Sequence, residues 1–353
     1  MSTKKKRIYK IVNICLLILL ISTYVVITIF KPVAIINPVN GNVVNHSLSN
    51  LPLSINWPSG VEAAISVDGY SFISTTGNFT PTQTASVAKL ITSLVVLDKY
   101  PLYVGQQGNV LTISQNDVDI YYKYYKEDGS TSPVKLNEQI SQFELLESML
   151  IPSSDNAADS LAIWAFGSLA NYSTEANKYL KAHNINETTV GSDASGLSPD
   201  TVSTPSDLLK IASLVEKNPV LMQIVGMKYA DLPVAGRMYN YNSLLGKDGI
   251  NGIKTGNSDE AGGVLLTSST ININGKDTNL LTAVMKAQNL SAAINANYNI
   301  VKQFRNNFSS SDQLNSYVAS MNKYKTSWDN QTLDLSYDTL PDLQSLNSTD
   351  IKL

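Results

Sequence analysis

Strand-like segments stand at both ends of the region between residues 61 and 308, and helix-like segments fill its middle. Residues 61–77 alternate apolar and polar side chains around Asp68 and Gly69, a turn-forming pair, and so predict a hairpin. Helices bracketed by antiparallel strands predict an α/β fold of the layered α+β kind. Three further strand-like segments follow one another near the other end: DGINGIKTG after its opening turn, GGVLLTSSTINING and NLLTAVMKA.

Apolar residues recur at helical spacing in two segments of the middle region. The first segment runs from Ser86 to Lys99 and has the pattern of a buried helix. The second, SQFELLESML, opens with Ser141 and Glu144 at the spacing of a capping box, in which each side chain bonds the other's backbone N–H. Both segments are therefore predicted as helices.

A third helix is predicted in TPSDLLKIASLVEK, where Thr204 or Ser206 can cap the N-terminus, and a closing helix at Ile294–Phe308. The tyrosine-rich segment around residues 121–125 is predicted to pack as a strand or loop. A platform for carbohydrate is the alternative reading of these tyrosines. The asparagine-, proline- and serine-rich residues 31–58 predict a linker, and residues 307–353 form a polar tail of unknown role.

The N-terminus predicts a single membrane anchor. Residues 1–10 are basic, and residues 11–30 then carry no charge, a length that spans the roughly 30 Å hydrocarbon layer. The positive-inside rule keeps the basic residues in the cytoplasm and places the rest of the chain on the extracellular face of a bacterial cytoplasmic membrane. A cleaved signal peptide and a lipid-modified Cys15 are the alternatives.

Composition excludes several classes of protein. A net charge of −3 and a pI near 5.5 provide no basic field for nucleic acid. Cys15 is the only cysteine, so no disulfide can form within the chain, and with two histidines a Cys/His zinc site cannot be assembled. No metal and no cofactor are expected. His46 and His183 are both predicted as surface residues, so a serine enzyme of this sequence would need a base other than histidine.

Ser86 and Lys89 are three residues apart and share one face of the predicted helix. The start of a helix favours developing negative charge, which suits a nucleophilic hydroxyl. A lysine can take the proton of that hydroxyl only if burial or a neighbouring cation favours its neutral form. Ser-x-x-Lys alone is a weak signal, so the pair requires a second hydroxyl and a second cation.

Both groups occur downstream. Ser154, Asp155 and Asn156 follow 68 residues after Ser86, and Lys254-Thr255-Gly256 lies a further 100 residues along. Ser-x-x-Lys, Ser-Asp-Asn and Lys-Thr-Gly, in this order, form the set associated with penicillin-binding proteins and class A β-lactamases. Each motif alone is commonly a helix cap or a turn, but the ordered set indicates an active site.

The surrounding segments resemble the serine-type D-Ala-D-Ala carboxypeptidases, the low-molecular-mass penicillin-binding proteins. The resemblance covers about residues 60–306, so residues 59–306 are predicted as the catalytic domain. It implies a β-lactamase/transpeptidase-like fold, with an antiparallel sheet flanked by helices and an all-helical subdomain. The segments that carry it are TASVAKLITSLVVLD, LLESMLIPSSDNAADSLA, VGSDASGLSPDTVSTPSDLLKIA and NSLLGKDGINGIKTGNSDEAGGVLL.

The resemblance also implies roles for catalytic residues. Ser86 would be the acylated nucleophile, Lys89 its general base, and Ser154 the hydroxyl that passes a proton to the leaving amine. Asn156 would hold the substrate and the lysine.

The remaining implied roles concern substrate binding. Lys254 and Thr255 would bind the substrate carboxylate, and Gly256 would let the substrate backbone approach the strand. The backbone N–H groups of Ser86 and Asn257 would form the oxyanion hole.

Three features depart from the family pattern. Asp155 stands in a position that is glycine in most of these carboxypeptidases, which read Ser-Gly-Asn. No lysine or arginine lies between Lys286 and Lys302, where relatives often carry an arginine, and the C-terminal domain of many relatives is reduced here to a short tail.

The resemblance implies a membrane-anchored carboxypeptidase that removes the terminal D-alanine from peptidoglycan stem peptides and is acylated by β-lactams. It implies a hydrolase that acts by proteolysis in peptidoglycan biosynthesis, cell wall organization and the maintenance of cell shape. A class A β-lactamase is one alternative, with Glu187 near the position of that family's deacylating glutamate. A penicillin sensor without turnover and a transpeptidase are the others.

Overall fold

The computed structural model describes residues 55–67, 73–76, 79–273, 275–307, 324–325 and 332–333. The predicted basic tail and anchor, most of the linker and most of the C-terminal tail lie outside these residues. Contacts divide the chain into two units, and all elements of the site belong to the unit of residues 47–324 and 332–353. Within the described part, none of the helices has both the length and the apolar character of a membrane span.

The described chain forms eight helices and several sheets. The helices are α1 (Lys89–Lys99), α2 (Gln115–Lys126), α3 (Gln142–Leu150), α4 (Asp155–Phe166), α5 (Leu169–Ala182), α6 (Pro205–Glu216), α7 (Pro219–Val225) and α8 (Leu290–Asn307). The strands are β1 (Glu62–Val67), β2 (Ile73–Thr75), β3 (Thr82–Gln83), β4 (Val110–Thr112), β5 (Gln139–Ser141), β6 (Val202–Ser203), β7 (Tyr229–Leu232), β8 (Gly236–Tyr239), β9 (Ile250–Ser258), β10 (Gly262–Ile273), β11 (Lys276–Ala287), β12 (Tyr324–Lys325) and β13 (Thr332–Leu333).

The central sheet has five strands in the order β2-β1-β11-β10-β9, and every pairing in it is antiparallel. The predicted hairpin pairs Ala64 with Thr75, while its turn at Asp68 and Gly69 lies outside the described residues. The three strands predicted after residue 248 are β9, β10 and β11. In this sheet β9 is an edge strand, with β10 as its one strand neighbour among the described residues.

Alternate residues of the long strands belong to two different cores. In β11, Leu281 and Ala283 pack with the helices α1 to α7, whereas Leu280 and Val284 pack with α8. This alternation follows from the two-residue period of a strand, which sends successive side chains to opposite faces. The sheet is therefore a middle layer covered on both sides, as predicted for the layered fold.

The predicted helix caps form as expected at two helices. Ser141 accepts from the backbone N–H of Glu144, whose carboxylate accepts from Ser141 N, and this capping box opens α3. Thr204 accepts from Asp207 N at the start of α6, with Pro205 in the first turn.

The tyrosine-rich segment is helix α2 rather than the predicted strand or loop. Ser114 and Asp117 cap it reciprocally. Tyr124 is buried and donates to Asp159 Oδ2 at 2.7 Å, while the rings of Tyr122 and Tyr125 are exposed. Tyr124 is the one residue of this helix that is fully buried, so the segment lacks the continuous apolar stripe that identifies a helix in sequence.

Candidate active site

Ser86 lies in a 3₁₀ turn, Ala85–Ala88, that leads directly into α1. The preceding residue, Ala85, has a φ of 44°, in the left-handed region that residues with a side chain rarely adopt. Strain of this kind persists only where the surroundings fix the backbone, and it clusters at functional sites. The turn places Ser86, which is 9% exposed, at the head of a helix that is otherwise packed in the core.

Lys89 is the first residue of α1 and is completely buried. Its Nζ donates to Ser86 Oγ at 2.7 Å, to Asp155 Oδ1 at 2.6 Å and to the carbonyl oxygen of Ser195 at 3.1 Å. An ammonium group has three donors, and these acceptors use all of them. Lys89 is therefore not a solvated surface lysine, and its predicted contact with Ser86 is present.

Lys254 supplies a second buried cation from β9. Its Nζ donates to Ser153 Oγ at 2.9 Å and to the carbonyl oxygen of Thr255 at 3.1 Å, which are both uncharged acceptors. Burial, and then the positive charge of Lys89, lower the pKa of Lys254 well below the ordinary value of a lysine, while Asp155 opposes the shift. The site thus brings two lysines and one carboxylate together away from water.

The side chains beside the two lysines differ by one residue from the predicted Ser154 and Asn156. Ser153 Oγ meets Lys254, and Asp155 Oδ1 meets Lys89. Ser154 Oγ instead forms hydrogen bonds with Ser132 Oγ and, at 3.5 Å, with Ser148 Oγ.

Asn156, for its part, is paired with the backbone of Ser132. Its Oδ1 accepts from Ser132 N and its Nδ2 donates to Ser132 O, both at 3.0 Å. The one-residue difference between the predicted and the observed contacts follows from the start of α4 at Asp155. A one-residue shift at a helix start turns a side chain by about 100°. Ser153, with a φ of 66°, makes the sharp turn before it. Two consecutive serines before Asp155 leave this register open in the sequence.

The residues after Lys254 bring β9 against the turn that carries Ser86. A Cβ on Gly256 would lie 2.8 Å from the carbonyl oxygen of Thr84 and 3.3 Å from Ser86 N, so only glycine permits this approach. Thr255 is buried, whereas Asn257 is exposed and accepts from Leu290 N at 2.9 Å through its Oδ1. The edge of β9 therefore lies beside the candidate nucleophile.

A loop at residues 193–198 supplies a site contact that the motifs do not reveal. Asp193 Oδ1 accepts from the backbone N–H groups of Ser195, Gly196 and Leu197, and Asp193 Oδ2 accepts from Ser198 N. This carboxylate fixes the loop so that Ser195 turns its carbonyl oxygen toward Lys89. The third acceptor of Lys89 is thus a backbone atom, which sequence motifs cannot indicate.

We expect Asp193→Asn to weaken this loop and the site together. An amide in place of the carboxylate sets an NH₂ group against one of the loop's N–H donors, and an unsatisfied buried group costs about 1–3 kcal/mol. Thermal or denaturant unfolding should show the loss of stability, and acylation of Ser86 should slow. A variant as stable and as fast as the wild type would contradict the proposed role of this loop.

Neither His183 nor Glu187 contacts the lysines of the site. His183 is exposed, its Nδ1 is 2.9 Å from the carbonyl oxygen of Tyr179, and His46 lies outside the described residues. Glu187 accepts from Thr204 Oγ1 at 3.2 Å, at the cap of α6. Within the described ranges, no group of three or more His, Cys, Asp or Glu side chains is placed to hold a metal ion.

Comparisons with known proteins give one consistent match. A family model described as D-alanyl-D-alanine carboxypeptidase matches residues 63–289. The D-alanyl-D-alanine endopeptidase of Pseudomonas aeruginosa is 31% identical over 204 residues, and that of Escherichia coli is 30% identical over 196 residues. Each of these alignments covers 53% of this chain and 59% of the relative, so the chain spans less than two thirds of the length of either protein.

Solved structures show the same fold. The Streptomyces K15 DD-transpeptidase aligns with a TM-score of 0.61 at 22% identity, covering 70% of this chain and 98% of that one. Penicillin-binding protein D2 from Listeria monocytogenes, solved in its ampicillin-bound form, aligns with a TM-score of 0.55 at 23% identity, covering 72% of this chain and 98% of that one. At these identities the likeness establishes the β-lactamase/transpeptidase-like fold.

Proposed function

The chain belongs to the D-alanyl-D-alanine carboxypeptidase family, and on that premise we propose that it removes the terminal D-alanine from peptidoglycan stem peptides. As a member it is a serine peptidase of the D-Ala-D-Ala type. The observation that carries the proposal is the 2.7 Å contact between Ser86 Oγ and the buried Nζ of Lys89. Release of D-alanine from a peptide ending in D-Ala-D-Ala is the direct test.

Acylation begins when Ser86 Oγ attacks the carbonyl carbon of the penultimate D-alanine. Lys89, in its neutral form, accepts the proton of the hydroxyl across the same short contact. The carbonyl oxygen gains negative charge as the tetrahedral intermediate forms. The backbone N–H groups of Ser86 and Asn257 are the proposed donors to this oxyanion.

Collapse of the intermediate breaks the bond to the terminal D-alanine, whose amine must take up a proton. Ser153 is the proposed proton relay, because its hydroxyl is bound to Lys254 at 2.9 Å and takes the place that the sequence predicts for Ser154. It gives its proton to the amine and is restored by the proton that Lys89 took from Ser86, which leaves Lys89 neutral. A water molecule then attacks the ester and gives a proton to Lys89, which passes it to Ser86 Oγ as the ester bond breaks and the shortened peptide leaves. The cycle ends with Ser86 and Lys89 as they began.

Lys254 and Thr255 are the proposed partners of the substrate's terminal carboxylate. Lys254 is a buried cation whose Nζ donates to two uncharged oxygens, so an incoming carboxylate would be its stabilising counter-ion. The open edge of β9 can meanwhile pair with the extended substrate backbone.

We expect the attraction between Lys254 and the substrate carboxylate to be lost at a lower pH than it would be for a lysine of ordinary pKa. The attraction exists while Lys254 is protonated and is lost as pH rises through its pKa, which lies well below 10.5. For a D-Ala-D-Ala peptide, kcat/KM should therefore begin its alkaline decline at a pH well below 10.5. As a control, a substrate with an amidated terminus should show a shallower limb, and identical limbs for the two substrates would contradict this role.

An endopeptidase activity is the second candidate, because both curated relatives carry that name. A carboxypeptidase would cleave a peptide ending in free D-Ala-D-Ala faster than a peptide with the D-alanyl bond inside the chain. The opposite preference would favour the endopeptidase. Comparing kcat/KM for the two peptides separates these activities.

A class A β-lactamase is a weaker proposal. Such an enzyme needs a glutamate that activates water beside the acylated serine, whereas Glu187 bonds Thr204 at the start of α6.

Membrane anchoring through residues 11–30, with the catalytic domain on the extracellular face, is also proposed from the sequence alone. The anchor predicts that the full chain sediments with membranes and that a fragment starting near residue 50 does not. Equal partitioning of the two would contradict it.

A further inference from the structure

Asp155 places a carboxylate between two buried lysines. Its Oδ1 lies 2.6 Å from Lys89 Nζ, and the side chains of the pair are 3% and 0% exposed. Asp155 also stabilises the charged form of Lys254, whereas the positive charge of Lys89 destabilises it. A buried ammonium group is costly without a counter-ion, so the identity of this one side chain bears on both lysines.

The loop after α2 encloses the carboxylate. The backbone N–H of Asp155 donates to Ser130 O at 2.7 Å, and a Cβ on Gly129 would lie 2.9 Å from Asp155 Oδ2. Asn156 then holds the same loop by its two bonds to the backbone of Ser132. An amide can bond both the backbone N–H and the carbonyl oxygen of one residue, and a carboxylate can pair with an ammonium, so the order Asp155-Asn156 matches each side chain to its partner.

We propose that Asp155 is a positioning residue that holds Lys89 on Ser86 and, through its charge, sets the pH range over which Ser86 is acylated. This inference rests on the proposed function. Asp155 is not itself a catalytic residue, because it acts through Lys89 rather than on the substrate.

The direction of the effect follows from the neighbouring charges. A carboxylate at hydrogen-bond distance stabilises the charged form of an ammonium group. Burial and the positive charge of Lys89 lower the pKa of Lys254, and the carboxylate of Asp155 opposes them by raising it. Two further buried carboxylates have partners of their own, since Asp159 accepts from Tyr124 Oη and Ala194 N, and Asp193 accepts from the N–H groups of its loop.

The test is the rate of Ser86 acylation by a penicillin, followed by intact mass across pH, for wild type and Asp155→Asn. Without the carboxylate, which raises the pKa of Lys254, Lys254 loses its proton at lower pH, so the alkaline limb of the profile should move down by about 1–3 pH units. A rate that falls equally at every pH, with the alkaline limb unmoved, would overturn the proposal because that is the signature of a purely structural role.

Three further variants separate an effect of charge from an effect of lost structure. Asp155→Glu retains the charge, so its profile should stay at the wild-type position even if the rate falls, and a shift like that of the asparagine variant would also overturn the proposal. Ser154→Ala removes a neighbouring hydroxyl without changing charge and should leave the alkaline limb unmoved. If Asp155→Asn does not fold, Asp155→Ser replaces it as the neutral variant. A wild type that penicillin never acylates would refute the proposed function instead.

Discussion

Ser86→Ala is expected to abolish both D-alanine release and covalent labelling by penicillin. The variant keeps Lys89 and the buried framework but has no hydroxyl to form the acyl-enzyme. Loss of a covalent nucleophile lowers kcat by about 10⁶-fold in a serine peptidase. D-alanine release and intact mass after exposure to penicillin measure the two activities separately.

The control for this variant is its unfolding transition, which shows whether the protein is still folded. Ser86 is a small side chain in the turn before α1, so its removal should leave the unfolding transition close to that of the wild type. Persistence of either activity in a folded Ser86→Ala protein would rule out Ser86 as the nucleophile.

Ser153→Ala is expected to be far more damaging than Ser154→Ala, although the two serines are adjacent. Ser153 Oγ is bonded to Lys254, whereas Ser154 Oγ is bonded to Ser132 and Ser148 outside the proposed chemistry. Loss of a positioned proton donor costs about 10²–10⁴-fold in rate. Measurements of kcat for the two single variants should therefore differ by about that factor.

Ser154→Ala is expected to show its effect in stability rather than in rate. Ser154→Ala leaves the Ser132 hydroxyl with one partner fewer in the core, so its cost should appear in the free energy of unfolding, by about 1–3 kcal/mol. If kcat fell equally in both variants, or more in Ser154→Ala, the role proposed for Ser153 would be contradicted and Ser154 would be favoured, as the motif alone suggests.

Much of the fold could be predicted because its signals are local. The strands β10 and β11 carry runs of β-branched and apolar residues, and the caps at Ser141 and Thr204 follow from spacing alone. Helix α2 escaped prediction because its exposed tyrosines resemble neither an apolar stripe nor an alternation. Its cap at Ser114 and Asp117 was a signal that could have identified it.

The site could be predicted where contacts are close in sequence and not where they are distant. Ser86 and Lys89 meet because residues three apart on a helical turn share a face. The choice between Ser153 and Ser154 depends on where α4 starts and how the chain turns before it. The carbonyl oxygen of Ser195 reaches Lys89 across 106 residues through a loop held by Asp193, a contact that only the tertiary structure determines.

The central claim is most directly tested by intact mass of the soluble fragment from about residue 50, sampled at intervals after brief exposure to penicillin, alongside D-alanine release. A persistent adduct on Ser86, in a protein that also releases D-alanine from a D-Ala-D-Ala peptide, is the predicted result. An adduct that vanishes within seconds would identify a β-lactamase, and a lasting adduct without peptide hydrolysis would point to a sensor or a transpeptidase. Absence of any adduct would contradict the assignment of Ser86.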